Sequence, residues 1–265
     1  MIVDGKAIAE RIYAELKNEV SHTGSKPHLT VFTCAPNFET QKYLNLKRKK
    51  AHEVGISVSL IEFPHDITTE EVVTSVAHAC MQTNGIIVQL PFPAHIDTDS
   101  VLKAIPKSYD VDVACYDGSD DLVLPPVVGA IAEIARVHDV LFATQHVVVV
   151  GKGKLVGAPA LIWAQKQGAQ VSVIDRDTPD PKAIIAQAGI LILGAGKPGL
   201  IQKDDIQQGV LIFDAGTSED GGVLKGDADP QCAEKASLFT PVPGGIGPIT
   251  IAVLLRNLIT LAFRH

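Results

Sequence analysis

Aromatic side chains are scarce in this sequence: phenylalanine, tyrosine and tryptophan make up 5% of it, with a single tryptophan. A core must therefore come from the aliphatic residues, and a hydrophobic content of 46% over 265 residues is ample for one. Cysteine is equally sparse. Cys34, Cys80, Cys115 and Cys232 are scattered without a C-x-x-C pair, and the nine histidines never fall in H-x-x-x-H spacing. A disulfide scaffold is excluded and no metal site is expected. Positive charge is in the minority, 23 Lys and Arg against 30 Asp and Glu for a net charge of −7. Neither nucleic acid nor an anionic membrane is expected as a partner. Long apolar runs are missing too. The stretch Ile249 to Phe263 is interrupted by Arg256 and Asn257, too short and too polar to span a bilayer, so it reads as a packed helix. The N-terminal MIVDGKAIAERIYAEL is amphipathic with no apolar leader, and a cytoplasmic location is expected.

What the sequence does contain is organised around Val147 to Pro159, VVVVGKGKLVGAP. Four consecutive valines predict a strand buried on both faces, and Gly151, Gly153 and Gly157 lead into a predicted helix over 156–167. Such a turn lets backbone N–H groups meet a pyrophosphate at a helix N-terminus. The spacing G-x-G-x-x-x-G is one residue longer than the usual dinucleotide fingerprint, and a glycine-rich turn made only for packing is the competing reading. The next predicted strand, Gln170 to Ile174, ends in Asp175, where an acid that contacts a ribose is expected.

Before this stretch, helices alternate with short apolar strands (HLTVFTC, ISVSLIEF, GIIVQL), which predicts a parallel sheet covered on both faces and ligands beyond the carboxyl ends of its strands. Three polar features stand there. On the predicted helix ETQKYLNLKRKKAHEVG, helical spacing puts Tyr43, Leu46, Lys47, Lys50, Ala51 and Val54 on one face, with Gly55 as C-cap; lysines snorkelling past an apolar stripe would give the same pattern. Gln89 closes GIIVQL, where a polar residue can simply mark the exit from the core. Asp110 and Asp112 follow a helix and read by default as a solvated turn.

Taken together, T-x-x-Y-x-x-x-K-R-K (Thr40 to Lys49), G-I-I-V-Q-L-P-F-P (Gly85 to Pro93), D-V-D (Asp110 to Asp112), G-K-G-K-L-V-G-A-P (Gly151 to Pro159), G-A-G-K-P-G (Gly194 to Gly199) and T-P-V-P-G-G-I-G-P-I-T (Thr240 to Thr250) resemble the bifunctional methylenetetrahydrofolate dehydrogenase/cyclohydrolase family. The match runs in order over nearly the whole chain. It implies an α/β protein of two domains, a parallel-sheet catalytic domain over 1–118 and a Rossmann-like dinucleotide-binding domain over 119–245. The final helix, 246–265, would return to the first domain, folate would lie in a cleft between the two, and the chain would be a homodimer. By position, Lys47 would be the catalytic lysine, Tyr43 the aromatic that stacks on the folate, Gln89 the partner of Lys47, and Asp112 the anchor of the pterin, with Pro243, Gly244 and Gly245 shaping a folate-contacting surface. The dinucleotide would meet Gly151, Lys152, Gly153, Val156, Gly157, Asp175, Arg176, Gly194 and Gly196.

A lysine that acts near neutral pH needs a lowered pKa, expected here from partial burial and from the nearby cations Arg48 and Lys50. The implied chemistry is oxidation of 5,10-methylenetetrahydrofolate and hydrolysis of the product to 10-formyltetrahydrofolate. Asp175 favours NAD, whereas Lys152, Arg176 and the family favour NADP, and NADP is the expected cofactor. The sequence departs from the family at three places. Val113 stands where D-V-D is usually followed by glycine, so that turn is expected to take another shape or to move Asp112. The P-C-T-P before the linking helix is Pro125-Pro126-Val127-Val128, and the loop G-R-S is Gly151-Lys152-Gly153. The alternatives are a dehydrogenase without cyclohydrolase activity, a non-enzymatic nucleotide-binding module, and a generic dehydrogenase that would leave T-P-V-P-G-G unexplained.

Overall fold

The computed structural model describes residues 1–119, 122–220 and 223–263, with the side chains of residues 38, 39, 219 and 220 left aside. Residues 120 and 121 of the expected 119–245 domain, its residues 221 and 222, and residues 264 and 265 of the expected last helix lie outside this description. The backbone groups into two compact units, each discontinuous in sequence.

The first unit comprises Glu10–Cys115, Leu122–Leu124 and Ile251–His265. Its sheet has the order β2-β1-β3, built from β1 (His28–Cys34), β2 (Ser57–Phe63) and β3 (Gly85–Val88), all parallel. Helix α1 runs Gly5–Thr23 and α2 runs Phe38–Val54. Helix α2 starts at an Asn37 cap that accepts the Thr40 N–H and stops at Gly55, whose left-handed φ of 97° forms the expected C-cap. Helices α3 (Thr69–Ala79) and α4 (Thr98–Lys103) cover one face, where Phe32, Cys34, Ile86, Val88, Val72, Val76 and Val101 form one apolar cluster. The other strand face carries the alternate residues, Thr33 and, beyond the end of β3, Gln89. Strand β2 is at the sheet edge and is only partly covered, with Ile61 and Glu62 exposed.

The second unit comprises Met1–Ala9, Tyr116–Asp121 and Pro125–Thr250. Helix α5 (Pro126–Val137) leads to β4 (His146–Val150), the strand that carries the four valines, of which Val147 to Val150 are buried. Then come α6 (Gly157–Lys166), β5 (Gln170–Ile174), α7 (Pro181–Ile185), β6 (Ile190–Leu193), β7 (Leu211–Asp214), a hairpin of β8 (Ser218–Asp220) and β9 (Val223–Lys225), and β10 (Leu238–Phe239). The parallel sheet has the order β10-β7-β6-β4-β5. Because β5 and β6 leave β4 on opposite sides, the strand order reverses at β4, and its carboxyl end opens at Gly151, where ligands of such sheets bind. The chain start is tied to the far edge: Val3 donates its N–H to the Phe239 carbonyl at 2.9 Å.

Helix α8 (Ile246–Ala262) contributes Leu254, Leu255, Leu258 and Ile259 to the buried core, each stabilising by about 1.5–3 kcal/mol relative to an exposed side chain. Within it Asn257 is buried and donates from Nδ2 to the carbonyls of Val111 at 2.9 Å and Leu124 at 2.8 Å. No helix among the described residues is long and apolar enough to cross a membrane.

Candidate active site

Helix α2 presents Leu44, Lys47, Ala51 and Val54 as its buried stripe, with Tyr43 and Lys50 half-buried beside it. Leu46, expected on this face, is 44% exposed instead, because the stripe is centred one position away from it. Lys47 is 7% exposed, so its head does not reach solvent in the manner of a snorkelling lysine. Its Nζ donates to Gln89 Oε1 at 2.9 Å and stands 4.9 Å from the centroid of the Tyr43 ring. Gln89 is itself oriented: its Nε2 donates to the Leu90 carbonyl at 3.1 Å, which turns the amide oxygen to the lysine.

Burial pushes the Lys47 ammonium below the ordinary lysine pKa, and the negative charge of Asp112 pulls it partly back. The expectation that Arg48 and Lys50 share in this lowering is not met. Lys50 is engaged elsewhere, with Glu10 at 2.7 Å, Glu53 at 3.1 Å and the Tyr13 ring at 4.8 Å, and Arg48 is exposed. Asp112 is pushed up by burial, against the lowering effect of Lys47. The Tyr43 phenol is pushed up by burial and by Asp112. Tyr43, Lys47, Gln89 and Asp112 are thus brought together within one unit: a ring face, an amine tuned toward neutrality, the amide that holds it, and a carboxylate.

The turn after Asp112 keeps a positive φ at Val113, so the β-branched side chain has not forced the backbone out of that region as expected. Val113 adopts the left-handed φ of 50° that a glycine would adopt, a conformation that β-branched residues rarely accept. Sequence spacing gives no sign of this.

The residues expected to meet the dinucleotide belong to the other unit. Gly157 begins α6 against the preceding turn, where a Cβ would stand 1.9 Å from the Gly151 carbonyl oxygen, and a Cβ on Gly194 would meet Val156 at 2.5 Å. Packing therefore accounts for several of these glycines. Gly153 is different, since a Cβ there would come no nearer than 4.0 Å to anything, so its backbone is open to approach from outside. Val156 gives the helix no side-chain cap, but the Ala158 N–H already donates to the Gly153 carbonyl at 3.1 Å and Pro159 carries no N–H, so within the first turn the Gly157 amide is the group an anion could meet. Asp175 is already satisfied by the Thr178 hydroxyl at 2.8 Å, by the Asp177 N–H at 3.1 Å and by an ion pair with Lys152; these hold it at about pKa 2, Lys152 first. Arg176 is exposed and makes no ion pair among the described residues.

Around Gly194 and Gly196, the N–H groups of Ala195, Gly196 and Lys197 converge on the buried Asp227 at 2.6, 3.2 and 2.7 Å. The Gly196 carbonyl accepts from the Ser218 hydroxyl at 2.8 Å. Both polar backbone groups of Gly196 are therefore engaged, and a ligand can meet it only through its surface. Asp227 is in turn placed by Asp214, whose carboxylate accepts N–H groups from Gly216, Asp227 and Ala228 and is pushed up to about pKa 6, chiefly by burial. Pro243, Gly244 and Gly245 also belong to this unit: the Gly244 carbonyl accepts the Gly5 N–H at 3.0 Å, Gly245 is buried, and Pro243 is exposed.

Sequence reasoning missed Asp227, Asn257 and the Lys152–Asp175 pair. A lone asparagine deep in an apolar helix is the one signal that was available, since a polar group buried there requires partners.

Comparison with known proteins agrees with this geometry. Residues 3–112 match the family model described as tetrahydrofolate dehydrogenase/cyclohydrolase, catalytic domain, and residues 125–265 match its NAD(P)-binding domain. The bifunctional protein FolD of Nautilia profundicola is 35% identical, over 98% of this chain and 96% of its own. The FolD methylenetetrahydrofolate dehydrogenase/cyclohydrolase structure from Campylobacter jejuni superposes with a TM-score of 0.93 at 30% identity, covering 99% of this chain and 98% of that one. The FolD structure from Trypanosoma brucei, complexed with NADP and an inhibitor, gives 0.90 at 30% identity, covering 100% and 97%. With both halves matched in order, the chain belongs to the tetrahydrofolate dehydrogenase/cyclohydrolase family.

Proposed function

We propose that the protein oxidises 5,10-methylenetetrahydrofolate to 5,10-methenyltetrahydrofolate and hydrolyses that product to 10-formyltetrahydrofolate. The observation that carries the reading is a buried lysine, its pKa lowered, hydrogen-bonded to Gln89 at 2.9 Å and set over a tyrosine ring. A bound dinucleotide supplies the acceptor for the hydride. The cation left on the one-carbon bridge is stabilised by the lone pairs of the two folate nitrogens, so this step needs alignment more than a base. Tyr43 offers its face to the aromatic part of the folate, and Asp112 offers a carboxylate to the adjacent N–H donors of the pterin.

In the hydrolytic step a neutral Lys47, donating one N–H to Gln89, retains a lone pair. It takes a proton from the water that adds to the cationic carbon and delivers it to the ring nitrogen as the bond from that carbon to the nitrogen breaks, while the remaining hydroxyl proton is released to solvent as the formyl carbonyl forms. A neutral amine also avoids repelling a cationic substrate.

The dinucleotide loop supports NADP over NAD. Asp175 already holds Lys152, Thr178 and the Asp177 N–H, so its charge is largely met before a ribose hydroxyl arrives, while the exposed Arg176 is available to a 2′-phosphate. We assign folate to 1–118 with the last helix, dinucleotide to 119–245, and Pro243, Gly244 and Gly245 to a folate-contacting backbone surface. We also propose a homodimer, on the family resemblance, and a cytoplasmic location, on the scattered cysteines and the amphipathic N-terminus.

The test is a steady-state assay of the purified protein with methylenetetrahydrofolate and each dinucleotide, then with methenyltetrahydrofolate alone. Turnover in both, with the higher kcat/KM for NADP, is expected. Dehydrogenase turnover without hydrolysis would leave a monofunctional enzyme, and a tenfold advantage for NAD, about 1.4 kcal/mol, would overturn the cofactor assignment.

A further inference from the structure

The acid two residues before Asp112 has no part in the chemistry above, yet it is buried. Asp110 is 7% exposed, and one of its oxygens, Oδ1, has no hydrogen-bond partner among the described residues. The other, Oδ2, accepts the Ala114 N–H at 2.8 Å, and the N–H groups of Val113 and Asp112 also act on this carboxylate. Asp110 therefore reaches forward over its own turn and draws together the amides that follow it.

Both flanks of that turn are fixed independently. On one side the Ile86 N–H donates to the Tyr109 carbonyl at 2.7 Å, and Ile86 and Asp110 form a parallel bridge next to β3. On the other, Asn257 holds the Val111 carbonyl at 2.9 Å, with Val111 itself fully buried. Between these anchors the backbone passes through Val113 at φ 50°. A β-branched residue enters that region only when its surroundings over-determine it. The Asp110 carboxylate is placed to do so, since its Oδ2 accepts the Ala114 N–H just past the left-handed residue at 2.8 Å.

Resting on the proposed folate chemistry, we propose that Asp110 is a positioning residue: its carboxylate holds Val113 in the left-handed conformation and thereby keeps the Asp112 carboxylate beside Lys47 and directed to the pterin. Without the clamp, Val113 would relax toward an ordinary φ. Asp112, adjacent to it, would lose its aim while remaining chemically intact. A glycine at 113 would need no such restraint, because positive φ costs it almost nothing. The role of Asp110 is thus tied to the side chain at 113, and the two substitutions must be non-additive.

The experiment compares wild type, Asp110→Asn, Val113→Gly and the double variant. It measures kcat and KM for methylenetetrahydrofolate at saturating dinucleotide, and dinucleotide Kd by fluorescence. In the wild-type background Asp110→Asn is expected to raise the folate KM about tenfold or more, as losing a hydrogen-bonded charged group does. The fall in kcat should be smaller and dinucleotide Kd should change less than about twofold. In the Val113→Gly background the same substitution is expected to raise KM less than about threefold. An equal penalty in both backgrounds, no penalty in either, or a parallel loss of dinucleotide affinity would overturn the proposal. Should Asp110→Asn alone fail to fold while the double variant folds and binds dinucleotide, that recovery is the same rescue; if neither folds, the turn-specific role is refuted. A wild type that turns over no methylenetetrahydrofolate defeats the functional reading itself, before any variant is compared.

Discussion

Replacing Lys47 by methionine separates the two reactions. The side chain is 7% exposed and its amine has one hydrogen-bond partner among the described residues, Gln89 at 2.9 Å. Methionine is close to the lysine stem in volume and fits without a large cavity. Stability changes little, because two effects oppose: the lost hydrogen bond costs about 0.5–1.5 kcal/mol, while the cost of desolvating an ammonium is removed. A Tm within about 4 °C of wild type is expected, given roughly 2–4 °C per kcal/mol for a chain of this size.

That balance depends on pH with a definite sign. The folded pKa of Lys47 lies below its unfolded value of 10.5, so between the two the unfolded chain holds a proton that the native one does not, and wild-type stability rises with pH in that window. The stability of the methionine variant relative to wild type is therefore greatest below the lowered pKa and declines as pH rises through it toward 10.5. Activity behaves differently. Loss of a general acid–base group should slow methenyltetrahydrofolate hydrolysis at least about a hundredfold, or about 2.7 kcal/mol in the barrier. Hydride transfer, which depends on alignment, should fall much less.

The two rates are read separately, from the disappearance of methenyltetrahydrofolate and from the appearance of reduced dinucleotide. The wild-type hydrolytic rate should climb with pH through the lowered pKa of Lys47, and the residual rate of the variant should stay flat. Equal loss of both activities with folate binding intact would refute this division and make Lys47 a residue that orients substrate for both steps. Undiminished hydrolysis would remove it from the chemistry altogether.

Asp112→Ala should weaken folate binding by on the order of 1.5–3 kcal/mol and leave dinucleotide Kd unchanged; titration of the two ligands separately checks this, and an unaltered folate affinity would detach Asp112 from the pterin. Arg176→Ala should raise the KM for NADP by roughly tenfold while that for NAD stays put, which initial-rate kinetics with both dinucleotides decides; parallel changes would deny Arg176 a contact with the 2′-phosphate. Gly157→Ala would place a Cβ 1.9 Å from the Gly151 oxygen, so the loop must shift, dinucleotide binding should be largely lost by calorimetry, and folate binding should survive.

Much of this was legible in the sequence where the signal is local. Four valines in a row marked β4, Gly55 marked the end of α2, and helical spacing put Lys47 on the same face as Tyr43 and Ala51. The same spacing argues against the expectation for Leu46: residues two apart on a helix point to nearly opposite sides, and it is Leu44, three before Lys47, that shares the buried face while Leu46 is exposed. The rest involves partners far apart in the chain. Asn257 and Val111 are 146 positions apart, and Asp227 serves amides about thirty residues before it. Val113 shows the opposite limit, a strictly local conformation that its own residue type argues against and that only the surrounding hydrogen bonds impose.

The bond from Asn257 to the Val111 carbonyl also has a meaning in time. During synthesis at about 5–20 residues per second, the intervening 146 positions take roughly 7–30 s to appear. Throughout that interval the segment bearing Asp110 and Asp112 has been made, but the side chain that fixes it has not. The unit that includes Pro125–Thr250 has all its residues by position 250, whereas the unit that holds Lys47 must wait for Ile251 onward. The nascent chain can therefore complete its later-coded dinucleotide fold first and acquire the arrangement needed for hydrolysis last, the reverse of the usual N-terminal-first order.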